Sequence, residues 1–90
     1  MTKELLSRSN ILSRIGFIAS DILNISDLLI TEDTMASDVP GWDSLTHVQI
    51  VIAVETAFNI RMTATEVAQL ENVGSLIDIV EAHQWKAASA

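Results

Sequence analysis

Ninety residues make one small domain, long enough for a single hydrophobic core and too short for separate binding and catalytic domains. Hydrophobic residues are 49% of the chain, yet the longest apolar runs, Ile15 to Ala19 and Ile50 to Val54, are five residues each, far short of a membrane span. The net charge of −7 is opposite in sign to the basic footprint that nucleic acid requires, and the absence of cysteine removes disulfides, thiolate nucleophiles and cysteine metal sites together.

Charge is unevenly placed. Residues 15–60 carry seven acids and no base, which suits basic protein partners approached by electrostatic steering, or serves solubility alone. Met1 to Ser20 has no continuous apolar segment followed by a small-residue cleavage site, so the expected address is cytoplasmic. Residues 1–90 read as one domain, with 1–8 and 86–90 its candidate flexible ends.

In chain order, Leu5, Leu12, Ile15, Ile18, Ala19 and Ile22 recur at helical spacing and predict a first helix over about 4–24, with a start at Ser9 or Asn10 as the competing boundary. Residues 25–43 keep neither period and hold the only proline, which predicts a long loop. Leu28, Leu29, Ile30, Met35 and Val39 predict that this loop is ordered and packed on the core. Asp43-Ser44 then caps a second helix over Leu45 to Phe58, in which nine of fourteen residues are apolar and two faces result. His47, Ile50, Val51, Val54 and Phe58 form one; Ser44, Leu45, Val48, Ile52 and Glu55 run along the other. A helix in so small a domain is not easily buried all round, so one of these faces must meet other helices or await a partner. Thr63 or Thr65 caps a short third helix within Met62 to Leu70. Asn72 caps a last helix over 73–85, followed by a polar tail, Lys86 to Ala90. The predicted fold is all-α, a small four-helix bundle with a long first loop and a short third helix.

Little of this carries enzyme chemistry. His47 and His83 lack ligand-like spacing with other donors, so no metal site is expected. Asp43, Ser44 and His47 crowd one helix end, where the carboxylate cannot orient the far imidazole nitrogen as a hydrolytic triad demands. Gly16, Gly41 and Gly74 are isolated, which argues against a phosphate-binding loop. Ser44 remains, either as an N-cap or as a covalent attachment point whose phosphodiester would lie at the positive end of a helix dipole.

The segment Asp38-Val39-Pro40-Gly41-Trp42-Asp43-Ser44-Leu45-Thr46-His47-Val48, followed by Ala53-Val54-Glu55-Thr56-Ala57-Phe58-Asn59-Ile60, resembles the acyl carrier protein family. Ile22 to Thr34 and Asn72 to Val80 extend the resemblance over most of the chain. It implies a carrier with no catalysis of its own. Ser44 would receive 4'-phosphopantetheine from coenzyme A through a phosphopantetheinyl transferase, with Asp43 helping that enzyme and its magnesium engage the serine. The arm would hold an acyl group as a thioester and present it to acyl-loading and acyl-transferring enzymes. Mapped by the resemblance, the docking surface is Leu45, Val48, Gln49, Ile52, Glu55 and Thr56, and the carrier is expected to be a monomer.

The chain departs from the fatty-acid carriers, which bear several acids along helix two. Here Thr46, His47 and Gln49 are uncharged and Glu55 is the only acid between Leu45 and Phe58. Together with Trp42, this resembles discrete carriers of specialised pathways. Two alternatives stand beside the acyl carrier: an aminoacyl or peptidyl carrier of the same fold, and a non-covalent helical interaction module in which Ser44 is only a cap.

Overall fold

A computed structural model describes the backbone of residues 6–89 and the side chains of residues 6–85. The first helix, α1 (Arg8–Leu23), begins later than the periodicity predicts because its cap is Ser7, whose hydroxyl accepts from the Asn10 N–H at 3.2 Å. Leu5, counted in the predicted stripe, lies outside the described residues. The buried line is Ile11, Ile15 and Ala19, one i+4 row, with Leu12, Ile18 and Ile22 flanking it. Ile11 is absent from the predicted stripe although, at 100° per residue, it falls between Ile18 and Ile22, both of which the stripe includes. Asn24 ends the helix in the left-handed region at φ 56°, where asparagine is tolerated, and its N–H returns to the Ser20 carbonyl.

The connection from Ile25 to Asp43 is ordered and contains a 3₁₀ turn, Ala36–Asp38, which the sequence did not announce. Val39 is buried and Leu28 and Ile30 lie half-buried against the core. Leu29, by contrast, is 92% exposed, and Met35 is also exposed, so two of the five expected anchors do not pack. Backbone carbonyls of this loop do a separate job. Those of Thr34 and Glu32 accept from Val73 N (2.9 Å) and Gly74 N (2.7 Å), two donors at the start of the last helix with no intrahelical partner.

The second helix, α2 (Ser44–Phe58), turns Ile50, Val51 and Val54 into the core and ends at Asn59, again left-handed, φ 53°. The third, α3 (Ala64–Ala68), is shorter than the stretch that predicts it. Thr63 is its cap, and its hydroxyl and Glu66 exchange bonds with each other's backbone N–H groups. The last, α4 (Val73–Ser89), starts where Asn72 Oδ1 accepts from the Ser75 N–H at 2.9 Å and runs four residues past the predicted end. Lys86 to Ser89 are therefore helical backbone and not a tail.

Val73, Leu76, Ile77 and Val80 of α4 meet the buried rows of α1 and α2, completing a core with no buried polar side chain among the described residues. A surface network ties the helices at one end: Arg8 of α1 pairs with Asp78 of α4 at 2.7 Å and also bonds Glu32 of the loop and Glu81 of α4. At α3, His83 Nε2 lies 3.2 Å from the Glu66 carboxylate and joins that short helix to α4. The architecture is the predicted all-α, four-helix one with a long first loop and a short third helix.

Candidate functional site

The site is built at the start of α2. Gly41 adopts φ +84°, a conformation that disfavours other residues, and so turns the chain after Pro40. Thr46 Oγ1 donates back to the Gly41 carbonyl at 2.7 Å and accepts the Asp43 N–H at 2.8 Å, fixing the turn to the first helical coil. Asp43, in extended backbone, is the N-cap: its Oδ1 accepts from Leu45 N and Thr46 N, each at 3.0 Å. Those bonds, the Thr46 N–H first and the Leu45 N–H after it, hold the Asp43 carboxyl below the usual aspartate range.

Sequence alone left open which of Asp43 and Ser44 is the cap; Asp43 is. Ser44 is the first helical residue, exposed, and its hydroxyl takes no part in the capping bonds. An anion on Ser44 would still feel the helix dipole. It would not find the Leu45 and Thr46 N–H groups free, since Asp43 already occupies them.

His47 does not serve a triad. Its Nδ1 accepts from the Trp42 indole N–H at 3.1 Å, so Nε2 carries the proton in the neutral ring. The two rings lie tilted at 33° with centroids 6.4 Å apart. Together they wall a small cleft of ≈ 50 Å³ whose other sides come from Thr34 and Ala36 of the loop, Leu70, Glu71 and Asn72 before α4, and Val73 and Leu76 within it. Sequence reading placed His47 on the core stripe and Trp42 in the turn without pairing them. An indole and an imidazole five residues apart across an N-cap were the available signal.

Along α2 the two apolar faces lie roughly a third of a turn apart at 100° per residue. Ile50, Val51 and Val54 are inside. Leu45 is 68% exposed, Val48 53% and Ile52 56%, with Gln49 and Thr56 also exposed beside them. Glu55 lies at the border of this face, half-buried, and its Oε2 accepts from Met62 N at 2.8 Å, so its carboxylate faces the chain's own backbone. Among the described residues, no helix is long and apolar enough to cross a membrane, and no three His, Cys, Asp or Glu side chains gather as a metal site.

A family model described as the phosphopantetheine attachment site matches residues 13–80. The chain is 28% identical over 75 residues to the acyl carrier protein of Thermotoga maritima, covering 83% of this chain and 93% of that protein. It is 32% identical over 72 residues to the acyl carrier protein of Buchnera aphidicola, covering 80% and 92%. Its fold matches the solution NMR structure of holo acyl carrier protein from Geobacter metallireducens with a TM-score of 0.80 at 26% identity, covering 88% of this chain and 91% of that one.

Proposed function

The chain belongs to the acyl carrier protein family of phosphopantetheine-binding proteins, and we propose that Ser44 is the residue that bears the arm. It is a carrier, not an enzyme; its cofactor is 4'-phosphopantetheine, and it works with a phosphopantetheinyl transferase and with biosynthetic enzymes. The observation that carries the assignment is the position of Ser44: first residue of α2, exposed, and relieved of capping by its neighbour.

The residues fit the group. An exposed primary hydroxyl at an open helix end leaves room for a phosphodiester on Oγ, with no side chain to displace. In the transfer, Ser44 Oγ bonds to phosphorus, its proton leaves to the transferase, and the nucleotide half of coenzyme A departs. Asp43 stays ionised down to low pH, and all its capping contacts use Oδ1. Oδ2 is left for the magnesium of the incoming enzyme. Once bound, the arm supplies the thiol that this cysteine-free chain lacks, and tethering raises the effective concentration of its thioester cargo at each active site.

Leu45, Val48, Gln49, Ile52 and Thr56 supply the docking surface in this reading, with Glu55 at its edge. An apolar face left unburied on a core helix fits a protein that must be gripped repeatedly and released. The cargo is an acyl group, the carrier is a monomer, and its compartment is the cytoplasm.

Intact mass after incubation with coenzyme A, magnesium and a promiscuous transferase tests the assignment, with Ser44→Ala in parallel. One phosphopantetheinyl unit is expected on the wild type and none on the variant, whose unfolding midpoint stays at the wild-type value because Asp43 holds the cap. A modified Ser44→Ala chain, or an unmodified folded wild type with active transferase, refutes it. Loading by an adenylating enzyme with an amino acid would place the cargo in the aminoacyl class instead.

A further inference from the structure

Two residues that line the cleft bracket the attachment point in sequence, Trp42 two positions before Ser44 and His47 three after. Three further surface grooves lie along α1 around Phe17, away from the Ser44 turn. Among the residues that line the cleft, Trp42 and His47 are the nearest to Ser44 along the chain. Both rings are half-buried, and the 3.1 Å bond joins the one polar atom of the indole to the imidazole atom facing it.

Resting on the assignment of the arm to Ser44, we propose that Trp42 and His47 form a wall that bars long acyl chains from the bundle, so that the cargo is a short or polar acyl group held outside the core. Volume comes first. The cleft measures ≈ 50 Å³, against the ~150 Å³ that admits a benzene ring, and the surrounding interior is close-packed. Polarity comes second. Wedging the rings apart breaks the indole N–H to imidazole bond in a cleft lined by Leu70, Val73 and Leu76 as well as by Thr34, Glu71 and Asn72, a loss comparable to what the burial of two or three carbons recovers. Trp42 and His47 are thus specificity-determining residues, acting by exclusion.

The test loads acetyl and octanoyl pantetheine arms from the corresponding coenzyme A thioesters and confirms each by intact mass. Two quantities are then read: thioester cleavage by hydroxylamine, relative to the same acyl-pantetheine free in solution, and the methyl resonances of Val73 and Leu76. In the wild type both thioesters should cleave at the free rate, and the methyls should not move with chain length. In Trp42→Ala the octanoyl thioester should cleave at least about tenfold more slowly, the factor that burying two methylene groups supplies, with the methyls shifted and acetyl unchanged. His47→Ala, which keeps the indole and removes its acceptor, should give a smaller slowing and carries the test if Trp42→Ala does not fold by circular dichroism. Protected octanoyl cargo in the wild type overturns the proposal, as do folded variants that leave it exposed. Failure of Ser44 to gain mass overturns the attachment reading, and the proposal with it, and is seen separately at the loading step.

Discussion

Ile50 and Ile52 are the same residue, two positions apart on α2, and their environments are opposite: Ile50 is fully buried and Ile52 is 56% exposed. Truncation of each to alanine separates core from surface within one helix. For Ile50→Ala the lost transfer energy and the cavity left among α1 and α4 together cost about 2–5 kcal/mol. In a domain whose total stability is on the order of 5–15 kcal/mol, that lowers Tm by roughly 10 °C or more. For Ile52→Ala the solvent-facing part has little burial to lose, and alanine is the better helix former, so the change stays within about 0.5 kcal/mol. Thermal and urea unfolding followed by circular dichroism at 222 nm measure both. Partner turnover should reverse the order, with Ile52→Ala losing kcat/KM for the transferase at wild-type stability. Equal destabilisation by the two variants would refute the assignment of the two residues to different faces of α2.

Gly74→Ala is expected to destabilise, against the usual gain of about 1 kcal/mol for this change inside a helix. A Cβ there would stand 3.0 Å from the Glu32 carbonyl, the acceptor that holds the start of α4, and overpacking of this kind costs about 1–3 kcal/mol; a raised Tm would contradict the contact. The Glu66 carboxyl is held low, first by the Thr63 N–H and then by His83, so its stabilisation is complete above the ordinary value of 4.5 and disappears as pH falls through the lowered one. The difference in urea midpoint between wild type and Glu66→Gln should accordingly narrow from pH 7 toward pH 3, and a constant difference would remove the linkage. Arg8→Ala leaves Glu32, Asp78 and Glu81 facing one another, and Tm should drop by an amount that 1 M salt reduces, because exposed charges are screened over about 3 Å there; a salt-independent drop would assign Arg8 a packing role instead.

The helices were legible because their signals are local. Periodic apolar residues, Asp43 and Asn72 before apolar runs, and Thr63 three residues before Glu66 each act within one or two turns, and all three caps form as the residue types dictate. Boundaries were less so. Ser7 outcompeted Ser9 and Asn10 as the first cap, and α4 ran past Trp85, since helix ends differ by little in propensity and neighbouring contacts decide them. Leu29 and Met35 misled because hydrophobicity states a preference for burial without saying whether a core surface lies within reach.

The family motif around Ser44 was likewise written in one contiguous stretch. The sequence by itself therefore determined the helix count, the long loop, the surplus apolar face of α2 and the serine on which the carrier reading turns. Only the tertiary structure decided which face of α2 is covered, that Asp43 and not Ser44 holds the cap, that loop carbonyls at Glu32 and Thr34 hold α4, and that Trp42 bonds His47 across the cleft. The physical reason is range. Propensity and capping are set by residues a few positions apart, whereas burial, the Arg8 network and the cleft depend on elements brought together from distant parts of the chain.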